Sequence, residues 1–212
     1  LGQLGVVTTP DVASGLLGAD VVIDFSNASA VTSLLAVAAR QKVAVVSGTT
    51  NIDDNVKKAL DRAAQTVPVM WAPNMSLGVQ VLAELVEKAV KRLGTGYDVE
   101  ITEIHHRKKV DSPSGTAKRL AEAARLARPE LHDLHGRSGD VGARTNDEMA
   151  VFGIRGGDVI GDHTVYLFGQ GERLELTHRA SNRDVFAYGA LAAARFLAGK
   201  PPKRYTFADV LG

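Results

Sequence analysis

The chain reads VAVVSGTTNIDDNVKKALDRAAQTVPVMW from Val43 to Trp71. Two apolar runs rich in β-branched residues, 43–46 and 67–71, have the length of buried strands. The segment between them, 53–66, carries apolar side chains at helical spacing, and these are Val56, Leu60 and Ala63. A buried strand, a helix and a second buried strand in succession predict a βαβ unit with parallel strands and a right-handed crossover.

The same alternation extends upstream of this unit. Residues 21–23 are β-branched and end in Asp24-Phe25-Ser26, and residues 28–41 carry apolar side chains at helical spacing. Those side chains are Val31, Leu34, Leu35 and Ala38. We therefore expect the fold class to be α/β, with a doubly wound parallel sheet in this part of the chain.

The pattern of the sequence changes near Ser76, which is suited to cap a long helix that Gly94 ends. The elements expected after it are a strand at 99–106, a helix at 116–126, a polar loop at 130–146, strands at 149–154, 164–169 and 173–179, and a helix at 184–198. Glycine turns join the last strands, which favours an α+β domain with a mainly antiparallel sheet.

Two domains follow from this change of pattern. We expect residues 1–76 to form a dinucleotide-binding type of domain, to which the last helix returns with residues 184–212. We expect residues 77–183 to form the second domain, and the family resemblance given below implies that this domain binds the substrate and carries out catalysis.

Composition excludes several classes of function. The chain has 212 residues, of which 25 are basic and 24 acidic, and a formal net charge of +1. No strong field therefore favours nucleic acid or an anionic membrane as a partner. The absence of cysteine excludes disulfides, a thiol nucleophile and a thiolate zinc site. No apolar run approaches the roughly 18 residues of a membrane span, and we expect a cytoplasmic protein.

Residues that can carry chemistry are concentrated at 103–116, which read EIHHRKKVDSPSGT. On an extended strand, Glu103 and His105 share the face of the apolar residues at 99 and 101. A buried face therefore ends in an acid and a histidine, where the environment can tune a proton donor.

The residues after this strand are suited to bind an anion. Lys109 adds a positive charge, and the backbone N–H groups and hydroxyls of 114–116 open a helix. The segment suits a small substrate with carboxylates that must accept a proton. The alternative is a solvated charge cluster followed by an ordinary helix cap.

The run HHRKKVDSPSGTA at 105–117 resembles the signature of the dihydrodipicolinate reductase family of lysine and diaminopimelate biosynthesis. Five other segments match the family in the same order, and they are Asp24-Phe25-Ser26, Gly48-Thr49-Thr50, 72–79 (APNMSLGV), 155–163 (RGGDVIGDH) and 177–180 (THRA). The resemblance implies a Rossmann-like domain, a substrate and oligomerisation domain, and a homotetramer. It also implies reduction of the cyclic dicarboxylate 4-hydroxy-tetrahydrodipicolinate to tetrahydrodipicolinate with NADH or NADPH and without a metal.

The resemblance also implies roles for individual residues. His105 matches the catalytic proton donor, and Lys109 matches a second general acid that contacts the substrate. The other positions that match substrate-binding residues are His106, Ser114, Gly115 and Thr116. The positions that match cofactor-binding residues are Gly48, Thr49, Thr50, Ala72, Pro73, Asn74, Met75 and Arg183.

One departure from the family concerns the N-terminus. The family's first βα unit carries a glycine-rich dinucleotide loop, but Leu1-Gly2-Gln3-Leu4-Gly5 is not followed by a helix-opening G-x-G-x-x-G. We expect a sequence from which this unit is missing rather than a natural cofactor-free form. Without that unit, the sequence does not distinguish NADH from NADPH.

Two other functions stay open at this point. Another two-domain nicotinamide-dependent reductase, such as an amino-acid dehydrogenase or a sugar oxidoreductase, would share the layout. It would not need a lysine and an anion-binding turn directly after paired histidines. A non-catalytic dicarboxylate-binding module is compatible with the missing glycine loop, but it has no use for Gly48-Thr49-Thr50 or for a proton donor.

Several other residues have structural interpretations beside functional ones. Asp24 either ends a strand beside an ordinary cap or touches the cofactor. Residues 155–163 form either a tight hairpin or a wall of the substrate cavity. We expect His132 and His135 to be loop histidines rather than a metal pair, and His178 to be a structural hydrogen-bonding residue.

Overall fold

A computed structural model describes residues 5, 6 and 8–212 of the chain. The chain divides into two compact units. Unit 1 contains the residues up to Met75 and those from Ala187 to Gly212, and unit 2 runs from Ser76 to Phe186. The sequence analysis placed the corresponding boundaries after residues 76 and 183. Its interpretation of Leu1-Gly2-Gln3-Leu4 lies outside the described residues.

The elements follow one another as short helices and strands. The helices are α1 Val12–Gly15, α2 Ala28–Gln41, α3 Asp54–Ala63, α4 Leu77–Leu93, α5 Gly115–Ala127, α6 Asp184–Leu197 and α7 Phe207–Leu211. The strands are β1 Val21–Asp24, β2 Ala44–Ser47, β3 Pro68–Trp71, β4 Asp98–His105, β5 His132–Leu134, β6 Glu148–Arg155, β7 Asp162–Phe168, β8 Arg173–Arg179 and β9 Lys203–Tyr205.

Unit 1 contains a parallel sheet of order β1-β2-β3-β9, which confirms the α/β prediction. Helices α2 and α3 begin at the side-chain caps Asn27 and Asp53, because each cap oxygen accepts a backbone N–H that the helix leaves unpaired. The core joins the two helices to the strands, and its fully buried residues include Val31, Leu35, Val45, Leu60 and Val69. The sequence analysis missed β9 and α7, which are too short to show a periodic pattern.

Unit 2 contains a mixed sheet of order β5-β6-β4-β7-β8. Strands β4, β7 and β8 pair antiparallel, as expected, but β4–β6 and β5–β6 pair parallel. The expectation of a mainly antiparallel sheet was therefore wrong for half of the pairs. The chain passes through α5 between β4 and β6, and such a crossover is what parallel pairing requires. The predicted loop at 130–146 also contains the short strand β5.

Strand β4 carries the residues that build the site. Its residues alternate between half-buried and buried, and the buried ones are Val99, Ile101, Glu103 and His105. The first two belong to the core that α4 and α5 form with the sheet. The register then places Glu103 opposite His163 of β7 and Gly153 of β6. The face predicted from the two-residue period therefore leads from the core into a polar cluster.

In the part of the chain that the structure describes, no helix combines the length and the apolar character needed to cross a membrane.

Candidate active site

The centre of the polar cluster in unit 2 is Glu103, whose side chain is completely buried. Arg155 donates two hydrogen bonds to its carboxylate, Nη1 to Oε2 and Nη2 to Oε1, each 2.7 Å long. His105 Nδ1 lies 2.6 Å from Oε2, and the backbone N–H of Ser114 donates to Oε1 over 3.1 Å. Burial alone would raise the pKa of Glu103, but the hydrogen bonds from Arg155 and His105 outweigh it and lower that pKa. Glu103 is therefore an anion, and His105 is the donor in their hydrogen bond.

His105 ends β4 with its two ring nitrogens in different surroundings. Nδ1 is held by Glu103, whereas Nε2 lies beside the backbone of Gly161. A Cβ atom at position 161 would come within 2.9 Å of Nε2, so glycine leaves this nitrogen the space it needs. Burial lowers the pKa of His105, Glu103 opposes this shift, and the charges of Lys109 and Arg155 add to it. An imidazole is chemically able to act as a proton donor or as a proton acceptor.

The N-terminus of α5 lies beside this histidine cluster. Ser114 caps the helix, because its Oγ accepts a hydrogen bond from the N–H of Ala117 over 3.1 Å. The same Oγ lies 3.0 Å from Nε2 of His163. Gly115 is exposed and Thr116 is half-buried in the first turn. A helix N-terminus favours an anion through its backbone N–H groups and its dipole.

The remaining predicted residues of the signature lie in the turn between β4 and α5. Lys109 Nζ forms an ion pair with Asp111 Oδ1 at 2.7 Å. The backbone oxygen of Asp111 in turn accepts a hydrogen bond from Arg155. His106 is half-buried, and its Nδ1 has no hydrogen-bond partner among the described residues. The structure therefore links Lys109 to the Glu103 cluster through Asp111 and Arg155.

Three residues of the cluster were not assigned to the site by the sequence analysis: Glu103, Arg155 and His163. Glu103 was recognised only as an acid on the same face as His105. His163 was missed because only the β4–β7 register brings it beside Glu103. Its ring meets that of His105 edge to face at 5.1 Å, and burial lowers the pKa of His163 to about 3. This histidine is therefore neutral over the physiological range.

Residues 155–163 do not form the tight hairpin that was one of their two interpretations. Strand β4 lies between β6 and β7 in the sheet, so this loop crosses the end of β4. The N–H of Gly156 donates to the oxygen of His105, and the N–H of His106 donates to the oxygen of Val159. The loop therefore fixes the backbone of the paired histidines.

His178 has the hydrogen-bonding environment expected of it. Its Nε2 lies 3.3 Å from Oγ of Ser76, the residue that caps α4. The register places it opposite His163 in the neighbouring strand.

The predicted cofactor residues of unit 1 follow the carboxyl ends of β2 and β3. Asp24 ends β1, and its buried carboxylate accepts hydrogen bonds from the hydroxyls of Ser26, Ser47 and Thr49. Burial would raise the pKa of Asp24, but these hydrogen bonds lower it overall. Asp24 therefore shapes the loop that contains Gly48, and this contact favours the structural interpretation of Asp24.

The loop after β2 leaves a polar backbone at the edge of the parallel sheet. The Thr49 hydroxyl donates a hydrogen bond to the Asp24 carboxylate. The backbone oxygen of Thr49 accepts a hydrogen bond from Trp71 Nε1 at 2.8 Å. Thr50 is exposed. A Cβ atom at Gly48 would overlap the Phe25 ring. Open parallel sheets bind ligands outside the carboxyl ends of their strands, so these residues lie where such a sheet can hold a ligand. The segment Ala72-Pro73-Asn74-Met75 follows β3 directly.

Two further residues singled out from the sequence are Arg183 and His132. Arg183 belongs to unit 2, immediately before α6. His132 lies on β5 rather than in a loop, with its Nδ1 3.4 Å from Asp147. The described residues contain no group of three or more histidine, aspartate or glutamate side chains placed to hold a metal ion.

A unit with an open parallel sheet and a second unit with a buried histidine–carboxylate cluster are compatible with a two-domain oxidoreductase. Two family models together match nearly the whole chain: "Dihydrodipicolinate reductase, N-terminus" at residues 1–75 and "Dihydrodipicolinate reductase, C-terminus" at residues 78–211. The chain belongs to the dihydrodipicolinate reductase family and is a reductase.

Individual relatives agree with this membership. The chain is 50% identical over 212 residues to the 4-hydroxy-tetrahydrodipicolinate reductase of Anaeromyxobacter sp. (strain Fw109-5), covering 99% of this chain and 79% of that protein. It is 49% identical over 196 residues to the enzyme of the same name from Myxococcus xanthus (strain DK1622), covering 92% and 72%. The solved structure of a dipicolinate-bound dihydrodipicolinate reductase from Paenisporosarcina sp. TG-14 has a TM-score of 0.77 at 23% identity, covering 93% of this chain and 76% of that one. That structure supports the fold, and the family membership overturns the alternative of a non-catalytic binding module.

Proposed function

We propose that the chain reduces 4-hydroxy-tetrahydrodipicolinate to tetrahydrodipicolinate with NADH or NADPH, a step of lysine and diaminopimelate biosynthesis. The observation that carries the proposal is the position of His105. Its buried ring, with Nε2 beside Gly161, belongs to the same cluster as the anion-binding first turn of α5. A proton donor and a carboxylate site in one cluster suit a cyclic dicarboxylate that is reduced and protonated.

In unit 2, some residues bind the substrate and another donates the proton. The backbone N–H of Gly115 and the N–H and hydroxyl of Thr116 bind a substrate carboxylate, because a helix N-terminus stabilises negative charge. Lys109 and His106 contact the substrate beside it. His105 gives its proton to the substrate when hydride addition leaves an electron pair on the ring.

The residues of unit 1 bind the coenzyme. The bound nicotinamide supplies a hydride, and the overall reaction consumes one hydride and one proton and releases water. Gly48-Thr49-Thr50 and Ala72-Pro73-Asn74-Met75 line the carboxyl ends of β2 and β3, where they hold the coenzyme and orient it. Arg183 contributes from the segment before α6.

We also propose a homotetramer in the cytoplasm. The face of the mixed sheet opposite the site carries a groove of about 570 Å³, lined by aromatic residues and by arginine–glutamate pairs. Among its lining residues, Tyr166 and Phe168 stack at 5.6 Å, and Phe168 is exposed. An exposed aromatic face rimmed by charges is typical of a protein interface.

The proposal is tested by replacing the proton donor. His105→Gln keeps a polar side chain but removes the titratable nitrogen, so we expect kcat to fall about 10²- to 10⁴-fold, the usual contribution of a general acid. Steady-state oxidation of NADH or NADPH with enzymatically generated substrate measures this change. His132→Gln, on the edge strand β5, is the matched control. Turnover of His105→Gln within a few-fold of the unsubstituted chain would contradict the role of His105 as proton donor, and a lack of turnover by the unsubstituted chain would contradict the proposed reaction.

A further inference from the structure

The Glu103 carboxylate has a complete set of hydrogen-bond donors. Oε2 accepts from His105 Nδ1 and Arg155 Nη1, and Oε1 accepts from Arg155 Nη2 and the Ser114 N–H. A carboxylate offers about four lone-pair sites, so all of them are used. The carboxylate therefore has one stable orientation, and it has no lone-pair site left to accept a hydrogen bond from a ligand.

The donors come from three different parts of unit 2. His105 ends β4, Arg155 ends β6, and Ser114 caps α5. Arg155 also donates to the backbone oxygen of Asp111. Glu103 therefore fixes the direction of the His105 ring relative to the helix start that we propose as the carboxylate site.

Glycine at position 153 leaves room for the Glu103–Arg155 ion pair. A Cβ atom at Gly153, the neighbour of Glu103 in β6, would overlap Ser112 Oγ and lie 3.0 Å from Glu103 Oε1 and 3.3 Å from Arg155 Nη1. A larger residue would push against the ion pair itself. Both neighbouring glycines, 153 and 161, thus make room for the two ends of the Glu103–His105 pair.

From this geometry we infer that Glu103, held by Arg155, is a positioning residue that makes Nε2 of His105 the nitrogen that gives up the proton. The inference rests on the proposed function. The protonated ring donates from Nδ1 to Glu103 and carries its second proton on Nε2. When the Nε2 proton passes to the substrate, the ring becomes neutral and keeps its Nδ1 proton in the hydrogen bond to Glu103. One N–H bond breaks, and one bond from hydrogen to the substrate forms.

The charges that face His105 come from several elements. Glu103 is negative and favours the protonated ring, whereas Lys109 and Arg155 are positive and disfavour it. The neighbouring ring of His163 is neutral, because burial lowers its pKa to about 3. Loss of the Glu103 charge would therefore leave only groups that lower the pKa of His105 further.

The first test uses the unsubstituted protein without substrate or coenzyme. Nitrogen-15 NMR of labelled histidine distinguishes a protonated ring nitrogen from an unprotonated one, and His105→Gln identifies the His105 signals among those of the six histidines. We expect neutral His105 to carry its proton on Nδ1. A neutral ring protonated on Nε2 would overturn the inference, and this result does not depend on which substrate the enzyme reduces.

The second test is Glu103→Gln, which keeps the shape but offers one acceptor oxygen. Arg155 and Ser114 compete for that oxygen, so we expect His105 to lose its preference for the Nδ1 proton. We expect kcat to fall about 10²-fold and the alkaline limb of its pH profile to move to lower pH. An unchanged limb with unchanged histidine signals would mean that Glu103 only stabilises the fold, and would overturn the inference.

Two further variants serve as controls for the tests of Glu103. Asp133→Asn removes another carboxylate of unit 2 that pairs with an arginine, Arg125, and we expect it to leave the His105 signals and the pH profile in place. Arg155→Lys keeps the charge but loses the two-pronged hydrogen bond, so we expect a smaller shift in the same direction if Glu103→Gln does not fold. If the NMR results hold but the unsubstituted chain does not oxidise NADH or NADPH with 4-hydroxy-tetrahydrodipicolinate, the proposed function fails and the hydrogen bond from His105 Nδ1 to Glu103 stands. If His105→Gln turns over normally, His105 is not the proton donor and the inference is overturned.

Discussion

Each unit contains one buried carboxylate near the end of a strand, but the two carboxylates have different partners. Asp24 in unit 1 accepts hydrogen bonds from the hydroxyls of Ser26, Ser47 and Thr49. These donors are neutral and cannot release a proton near neutral pH. Asp24 therefore holds the shape of the loop after β2.

Glu103 in unit 2 accepts hydrogen bonds from a guanidinium, an imidazole and one backbone N–H. Its partner His105 is an imidazole, which can carry or give up a proton, and its partner Arg155 compensates the buried charge. Burial and a lowered pKa are common to both carboxylates and therefore do not distinguish their roles. The donors differ, because hydroxyl groups hold Asp24 whereas Glu103 holds an imidazole that can carry a proton.

The largest effect on stability is expected from Arg155→Met, which leaves the buried charge of Glu103 without its main partner. Breaking such a pair costs about 3–5 kcal/mol of unfolding free energy. Urea unfolding followed by far-UV circular dichroism measures this loss. Arg125→Met removes a more exposed arginine–carboxylate pair, and we expect it to cost less than about 1 kcal/mol. Equal losses in the two variants would show that Glu103 does not depend on Arg155.

A smaller effect is expected from Asp24→Asn, because its partners are neutral hydroxyls. Removing hydrogen bonds to a charged acceptor costs about 2 kcal/mol. Trp71, the single tryptophan of the chain, bonds to the Thr49 oxygen and reports on this loop by fluorescence. We expect weaker coenzyme binding and unchanged NMR signals of His105, which separates the two carboxylates.

The contribution of Asp24 to the free energy of unfolding depends on pH, and its direction follows from the pKa of this group. Hydrogen bonds lower the folded-state pKa of Asp24 below its usual value of 3.8. Its contribution is therefore complete above about pH 3.8 and is lost as the pH falls through the lower folded-state pKa. The stability difference between the unsubstituted chain and Asp24→Asn should shrink on acidification, and a difference that grows would contradict this account.

The smallest effect is expected from Gly48→Ala. The new Cβ atom would overlap the ring of Phe25, but that side chain is half exposed and can move. We expect a loss of about 1 kcal/mol, measured from Trp71 fluorescence during unfolding. The double variant with Phe25→Ala should recover most of the cost of Gly48→Ala relative to Phe25→Ala alone. If the double variant does not recover this stability, overlap with the Phe25 ring is not the reason why Gly48→Ala is destabilising.

Much of this organisation could be predicted from local patterns. The βαβ alternation of 21–71 and the two-residue period of β4 gave the parallel sheet and the shared face of Glu103 and His105. Both patterns reflect the geometry of neighbouring residues in one element. Pairing between distant strands leaves no such pattern, so the parallel β4–β6 pair and the crossing of β4 by residues 155–163 were not predicted, and β9 is too short to show a pattern.

The amino-acid sequence by itself determined the fold class, the resemblance to the family and the presence of a histidine shortly before the start of a helix. Tertiary structure alone decided which groups meet that histidine. Arg155 lies 52 residues from Glu103 in the chain, and Ser114 meets His163 across 49 residues. Sheet register and crossover direction set these contacts, because a buried charge must find partners wherever the fold brings them within hydrogen-bonding distance.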